Sequence, residues 1–212
     1  MAIKDKLLDT IEIVSKTALS AIPIGGALAT SVYDVVKGNC LAKRREMWES
    51  TIEERITKIE GTLEDIGNNE SFTTALIKAT ELAMRTASQE KMKYLANAVV
   101  NSFKLNLEEE KLIIFMDLLD KYTISHIRSL RFFYNPKEFS NSSYVSGSPT
   151  TILFQAYPEL DNEMFKKVYN DLYNDGMVNL KTENLNITMT ENGMFAKRTT
   201  QLGEEFLRFI ML

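Results

Sequence analysis

Apolar residues recur at steps of three and four along most of the chain, which is the period of an amphipathic helix. Residues 3–22 form one such stripe, and a Pro-Ile-Gly-Gly turn at residues 23–26 separates it from a second helical arm that runs to about Lys37. The clearest period lies within residues 41–66, where six apolar side chains are spaced by 4, 4, 3, 4 and 3 residues: Trp48, Ile52, Ile56, Ile59, Leu63 and Ile66. This spacing predicts one long helix with a narrow apolar seam.

The seam allows two interpretations. It is either one face of an intrachain helical bundle or a coiled-coil surface of two to three heptads that pairs with a partner chain. The run is short for a coiled coil, which favours the bundle. Ser71 is the expected N-cap of a next helix to about Arg85, and Ser88 caps another to Phe103. No strand pattern occurs before residue 107, so residues 1–105 are predicted to form a helical domain.

The second half of the chain combines helical periods with a strand pattern. Helices are predicted after a capping box at residues 106–109, after Thr123, and after Asp161, with the last one ending at Asp175-Gly176. Residues 139–150 are predicted to be a loop, and residues 151–156 a short helix. Residues 177–180 alternate as a strand, residues 194–196 are the expected returning strand, and a terminal helix starts at Thr199 or Thr200.

Two segments of this half resemble a winged-helix domain. Residues 174–180 (Asn-Asp-Gly-Met-Val-Asn-Leu) resemble the passage from its third helix into the first wing strand. Residues 200–207 (Thr-Gln-Leu-Gly-Glu-Glu-Phe-Leu) resemble the threonine–x–leucine–glycine–x–x–phenylalanine–leucine close of such domains. The resemblance implies a mainly α fold in which an N-terminal helical bundle precedes a C-terminal winged-helix domain at residues 106–212, with a small β-hairpin wing.

The N-terminal half is similar to a loosely defined group of bacterial and prophage proteins that includes abortive-infection alpha-type proteins. The matching features are the Pro-Ile-Gly-Gly elbow, the basic run at residues 43–45 before the long helix, and residues 86–91 (Thr-Ala-Ser-Gln-Glu-Lys) followed by Leu-Ala-Asn at 95–97. This resemblance implies a phage-related or defence-related context and no particular activity.

Charge bears on whether the winged helix binds DNA. The chain has 25 Lys and Arg against 29 Asp and Glu, a net charge of −4. Residues 1–106 are balanced at 14 against 14, whereas residues 107–212 hold 11 basic and 15 acidic residues. Phosphate contacts supply much of the affinity for DNA, so this distribution disfavours DNA binding. If DNA is bound, the expected contacts lie on the third helix and the wing, at Lys166, Lys167, Lys181, Lys197 and Arg198.

The rarest residues limit the chemistry. One cysteine, Cys40, excludes an intramolecular disulfide and a cysteine-based metal cluster, and one histidine, His126, excludes a multi-histidine metal site. No phosphate-binding loop or nucleophile elbow occurs. We therefore predict no catalytic, cofactor-binding or metal-ligating residues. His126 is expected to be a partly buried structural residue, and Cys40 a small buried thiol.

Residues 17–36 carry one charge, Asp34, over about the length of a bilayer crossing. Pro23, Gly25 and Gly26 should break a helix there, so the segment is either a buried elbow or a membrane-inserting one. The N-terminus lacks a signal-peptide pattern, and a cytoplasmic location is expected, with membrane association through residues 17–36 left open.

These features favour a non-enzymatic interaction or assembly protein of a bacterial or phage system, acting through a protein partner or as a homo-oligomer. The first alternative is a dimeric winged-helix transcriptional regulator that binds DNA. The second is a membrane-perturbing abortive-infection effector that acts through residues 17–36.

Overall fold

The computed structural model describes residues 9, 12, 13, 37–57, 59, 65, 66, 68–105, 107–140 and 146–211. Over these residues the protein is mainly helical, with nine α-helices and one small two-stranded antiparallel sheet. The chain divides into two compact units. Unit 1 comprises Met1–Lys121 and Phe209–Leu212, and unit 2 comprises Tyr122–Arg208. The predicted domain boundary between residues 105 and 106 stays a prediction.

Unit 1 is a helical bundle. A π-helical turn at Lys37–Leu41 leads into four helices: α1 (Ala42–Ile56), α2 (Glu70–Arg85), α3 (Gln89–Leu105) and α4 (Glu109–Lys121). Helices α2 and α3 pack closely, α1 lies against both, and α4 packs mainly on α2. The core is built from the apolar faces of these amphipathic helices, including Trp48, Ile52, Leu76, Leu95, Val99, Leu112 and Phe115.

The ends of these helices correct two predictions. The side chain of Asn69, not that of Ser71, caps α2 by accepting a hydrogen bond of 2.8 Å from the backbone N–H of Phe72. The long helix predicted over residues 41–66 ends at Ile56, where the hydroxyl of Thr57 donates to the carbonyl of Glu54 at 2.9 Å. Beyond it the Ile59 N–H donates to the Ile56 carbonyl at 2.9 Å, three residues back, so the i to i−4 bonding of an α-helix is not continued. The prediction for α3 is confirmed, because the Ser88 hydroxyl accepts from the Lys91 N–H at 3.1 Å.

Unit 2 contains short helices and the sheet. Its elements in chain order are α5 (Ile124–Tyr134), a 3₁₀ turn (Pro136–Phe139), β1 (Ser146–Gly147), α6 (Pro149–Ala156), α7 (Asn162–Asn174), a 3₁₀ turn (Thr182–Asn184), β2 (Met189–Thr190), α8 (Glu191–Met194) and α9 (Gln201–Ile210), whose last two residues belong to unit 1. Strands β1 and β2 pair antiparallel, with Ser146 opposite Thr190 and Gly147 opposite Met189. Strand β1 lies in the segment predicted to be a loop.

Both predicted ends of α7 are confirmed. Asp161 accepts a hydrogen bond of 2.8 Å from the Met164 N–H at the start of the helix. Gly176 follows the helix with a φ of 72°, a left-handed conformation that favours glycine. The chain can therefore reverse direction immediately after α7.

The predicted wing strands are mostly wrong. Within residues 177–180 only Val178 forms a bridge, and its antiparallel partner is Thr199. Residues 194–196 are not a strand, because Met194 closes α8 and the Phe195 N–H binds the Glu191 carbonyl. The segment after α7 therefore pairs with residues that follow the predicted returning strand. There the Asn179 N–H donates to the Arg198 carbonyl at 2.9 Å.

The start of α9 lies close to the segment that follows α7. The Thr200 N–H donates to the Met177 carbonyl at 2.9 Å, and the Thr200 hydroxyl caps the helix by accepting from the Gly203 N–H at 3.1 Å. A β-carbon at Gly203 would lie only 2.3 Å from the Met177 carbonyl oxygen. The threonine and the glycine of the Thr-x-Leu-Gly pattern thus both allow α9 to pack closely against the backbone of Met177.

Candidate interaction surfaces

Two residues of the predicted seam lie in the core of unit 1. Trp48 and Ile52 are both 0% exposed, and the Trp48 indole N–H donates to the Thr80 hydroxyl at 3.1 Å. Thr80 in turn donates to the Leu76 carbonyl at 2.8 Å. For these two positions the structure shows the intrachain alternative, and neither is available to a partner or a lipid surface. Of the remaining seam residues, Ile66 is buried, Ile56 and Ile59 are half-buried, and Leu63 lies outside the described residues.

The predicted elbow, Pro23, Gly25 and Gly26, also lies outside the described residues, as does the whole of residues 17–36. Among the helices that the structure describes, none combines the length and the apolarity needed to cross a bilayer. The proposal of a membrane segment at residues 17–36 is thus not tested by this observation.

Three of the four lysines predicted to contact DNA are bound to acidic side chains of unit 2. Lys166 pairs with Glu163 on the same helix at 2.6 Å, and Lys167 pairs with Asp171. Lys197 pairs with Glu204 at 2.6 Å and lies over the ring of Tyr134. Lys181 is exposed. Phosphates would have to compete with existing carboxylate partners at three of these four positions.

The prediction that Arg198 contacts phosphate is wrong, because its side chain is buried and only 4% of the residue is exposed. Its guanidinium donates to the carbonyl of Ala196 at 2.6 Å and to the carbonyls of Gly193 and Met194 at the end of α8. Burial lowers the pKa of Arg198, while nearby Tyr169 opposes that shift. Arg198 therefore holds the segment after α8 in place instead of facing a ligand.

His126 is buried at the start of α5, as predicted for a structural histidine. The Thr123 backbone N–H can only donate, so Nδ1 of the neutral ring accepts it, at 3.2 Å. The proton is then on Nε2, which lies 3.4 Å from Asp171 Oδ2 on α7. The ring also stacks on Tyr122, with centroids 5.0 Å apart and planes 6° apart. Both ring nitrogens are engaged, which favours a structural role over that of a base.

The surroundings of His126 contain two perturbed groups. The hydrogen bond from Lys167, and to a lesser degree that from His126, lowers the pKa of Asp171 against the opposing effect of burial. Burial raises the pKa of Tyr122 above its usual value, and its hydroxyl donates to Asp175 at 2.9 Å, which adds to the shift. Sequence reasoning missed this contact, because it joins residues 53 positions apart.

Sequence reasoning also missed a buried amide pair on α3. Asn101 donates to the carbonyls of Phe209 and Met211 at 2.9 and 2.8 Å, and Asn97 donates to that of Ile210 at 3.0 Å. Both side chains lie on one face of α3, four residues apart, and satisfy carbonyls that a helix C-terminus leaves without partners. The only available signal was the presence of two asparagines on an otherwise apolar helical face.

A groove runs between α1 and the start of α3. It consists of two adjoining hollows of about 420 and 280 Å³ that share Lys43, Met47 and Gln89 in their walls. Cys40 lines the smaller hollow and is exposed, so the prediction of a buried thiol is wrong. The π-helical turn leaves Cys40 on the outside while Leu41, the next residue, is buried.

The two compact units change the charge comparison. Unit 2 holds nine Lys and Arg against ten Asp and Glu, a net charge of −1, and unit 1 holds 16 against 19, a net charge of −3. Much of the negative charge counted for residues 107–212 belongs to α4, which is part of unit 1. Net charge alone is therefore a weaker argument against DNA binding by unit 2 than the paired state of its lysines.

Within the described ranges, no three His, Cys, Asp or Glu side chains converge as the ligands of a metal ion would. Comparison of the chain with protein-family models, with curated proteins and with solved structures gives no match.

Proposed function

We propose that the protein is a non-enzymatic interaction or assembly protein that works through protein contacts. The observation that carries this proposal is the state of the basic side chains around α7. Lys166, Lys167 and Lys197 are neutralised by carboxylates of unit 2, and Arg198 is buried. A surface of paired charges suits contact with another protein, since complementary charges there give specificity without a large uniform field.

A winged-helix architecture for unit 2 is part of the proposal. Its support is the element order, in which α5, β1, α6 and α7 are followed by the antiparallel bridge between Val178 and Thr199. The exposed face of α7, with Met164 more than half exposed at its first turn, is then the contact surface that DNA-binding relatives of this architecture would offer to a groove. The proposed bacterial or phage-related setting is carried by the sequence resemblance of the N-terminal half.

A selection from a random 30-base-pair duplex library tests the proposal against DNA binding. We expect no enriched sequence at 50 mM salt and weak retention that disappears at 200 mM salt. A double variant, Lys166→Glu with Lys167→Glu, should leave that weak retention unchanged relative to a matched reversal of two exposed lysines elsewhere, Lys104→Glu with Lys137→Glu. Enrichment of one sequence that the first variant alone abolishes would overturn the proposal.

A positive test is reconstitution from purified components. The protein is cross-linked in cells, each enriched partner is purified separately, and the complex is rebuilt and weighed by light scattering. A complex of defined stoichiometry, with another protein or with further copies of this chain, supports the proposal. A monomer that rebuilds no complex and binds a selected duplex contradicts it.

A dimeric regulator is the second candidate, and one observation favours it. Unit 2 is nearly neutral, and Lys181 is exposed beside the 3₁₀ turn that packs against α7. Two copies would double such contacts on a palindromic site. In the duplex selection, a regulator would enrich a palindrome whose affinity falls with salt and drops further on Lys181→Glu.

A further inference from the structure

The groove between α1 and α3 is lined by residues of both helices over several turns. Along the π-helical turn and α1 its wall extends from Cys40 to Thr51, which corresponds to about 16 Å or three helical turns. Opposite it stand residues from the first turns of α3. Two methionines form the floor, Met47 half-buried and Met92 with 1% exposed. Methionine adapts its shape to many apolar side chains and is common in surfaces that bind amphipathic segments.

The groove is basic although unit 1 is acidic. Its walls carry Lys43, Arg44 and Lys93 against a single acidic residue of the described lining, Glu46. Elsewhere in the unit, cations lie beside acids, as in the pairs Lys78–Asp117 at 2.9 Å and Arg85–Asp120 at 3.4 Å. Within the described part of the chain, neither Lys43 nor Lys93 has such a partner. The described residues therefore leave Lys43 and Lys93 open to carboxylates from outside.

A surface with the matching chemistry lies on α4. Glu110, Ile114 and Asp117 follow one another at four and three residues, so they form a single stripe along its solvent face. We call this the α4 stripe. Ile114 is 47% exposed between its two acidic neighbours, and Ile77, on the adjacent helix α2, is a second exposed isoleucine. Asp117 is already paired with Lys78 at 2.9 Å, so Glu110 is the carboxylate of the stripe that complements the lysines of the groove, and Ile114 complements its methionines.

We propose that the groove binds the α4 stripe of a second copy of this chain. Ile114 of one copy enters the hollow above Met47 and Met92 of the next, and Glu110 beside it approaches Lys43 and Lys93. Groove and stripe are different surfaces, so the contact is head-to-tail and each copy keeps one free groove and one free stripe. Assembly then continues into a ring or a filament instead of stopping at a dimer. This inference rests on the proposed function, because it names the partner of an assembly protein.

Sedimentation and light scattering of the full chain test the assembly directly. The weight-average mass should rise with concentration above the 24.2 kDa of one chain and fall as salt is added, since exposed charge pairs are screened. The variant Lys43→Glu with Lys93→Glu and the variant Glu110→Lys should each weaken association by roughly tenfold or more. The matched reversal Lys104→Glu with Lys137→Glu should leave it unchanged. A mass of one chain at all concentrations overturns the inference.

Mixing the two variants provides the decisive comparison. Alone, Lys43→Glu with Lys93→Glu has an acidic groove and an acidic stripe, whereas Glu110→Lys has a basic groove and a less acidic stripe. In an equimolar mixture the basic groove of the Glu110→Lys variant can bind the acidic stripe of the other variant, which is the contact of the unaltered protein. Association should therefore recover in the mixture and in neither variant alone. Failure of the mixture to exceed both separate variants overturns the inference.

Folding and partner identity are separated by two further readouts. The altered residues are exposed, so far-UV circular dichroism and the emission of buried Trp48 should match the unaltered protein in every variant. A monomer that nevertheless forms a reconstituted complex with a different protein overturns self-docking and leaves the proposed function standing. A monomer that binds no protein and selects a DNA sequence overturns both.

Discussion

Replacing Gly203 by alanine should destabilise unit 2, although alanine is the better helix former. Gly203 is buried in the first turn of α9, and an added β-carbon would lie 2.3 Å from the Met177 carbonyl oxygen and 3.1 Å from the carbonyl carbon. These are backbone atoms, so no side-chain rotation can relieve the contact. The Met177 carbonyl also accepts the Thr200 N–H at 2.9 Å, and the Met177 N–H donates to Leu172 at 2.8 Å. Met177 is therefore fixed from both sides.

Two opposing effects set the magnitude. Glycine in a helix interior costs about 1 kcal/mol relative to alanine, and because Gly203 lies in the first turn the substitution would recover at most this amount. Forcing a methyl group into a closely packed contact costs about 1–3 kcal/mol, and more where the backbone must move. A contact of 2.3 Å requires a shift of most of an ångström before it reaches an ordinary separation. We expect a net loss of about 1–2 kcal/mol, or roughly 2–8 °C in the melting temperature of a chain of this length.

Urea unfolding followed by far-UV circular dichroism measures this loss, and hydrogen exchange over residues 177–200 locates it. Gly38→Ala is the matched control, because a β-carbon there meets nothing within 4 Å. That control should be neutral or stabilising by up to about 1 kcal/mol. If Gly203→Ala is as stable as Gly38→Ala, and exchange over residues 177–200 is unchanged, then the close approach of α9 to Met177 is refuted.

Two further predictions concern buried polar contacts. Asn101→Leu removes the donor for the Phe209 and Met211 carbonyls and should lower the free energy of unfolding by about 1–3 kcal/mol. The emission of Trp48, which lies in the same unit, should then show a lower urea midpoint, and an unchanged midpoint would contradict the prediction. Folding lowers the pKa of Asp171, so the ionised side chain stabilises the folded protein. This stabilisation is fully present above the pKa of the unfolded chain, about 3.9, and is lost as the pH falls through the lower pKa of the folded protein. Asp171→Asn should therefore show a smaller drop in melting temperature between pH 7 and pH 3 than the unaltered protein, and an equal drop would count against the pairing.

The helices could be predicted from the sequence because their signals are local. The spacing of apolar residues determines which face of a helix is buried, and a cap involves residues only three positions apart. The caps at Ser88 and Asp161 were predicted correctly for this reason. Ser71 failed because Asn69 is an equally good capping residue two positions earlier, and the choice depends on where the preceding chain enters.

The polar contacts of the core and the pairing of the segment after α7 could not be predicted, since their partners are distant in sequence. Asn101 meets backbone groups 108 and 110 residues away. The bridge from Val178 goes to Thr199, beyond the Met-Phe-Ala segment at residues 194–196 that was the expected returning strand. A strand's partner is set by packing of the whole unit, and in this case the short helix α8 occupies the segment that a simple hairpin would use.

Charge shows most clearly why placement in the fold matters more than position in the sequence. A division of the chain at residue 106 places all the net negative charge in the half that resembles a winged helix. The division into two compact units leaves unit 2 nearly neutral. The argument against phosphate binding then depends on particular side chains, the paired Lys166 and Lys167 and the buried Arg198. Unit 1 shows the converse, because it is acidic overall and yet has a basic groove. A binding partner interacts with the electrostatic potential at the surface that it contacts. Reversing the charge of particular side chains therefore distinguishes between candidate partners, whereas the net charge of the chain does not.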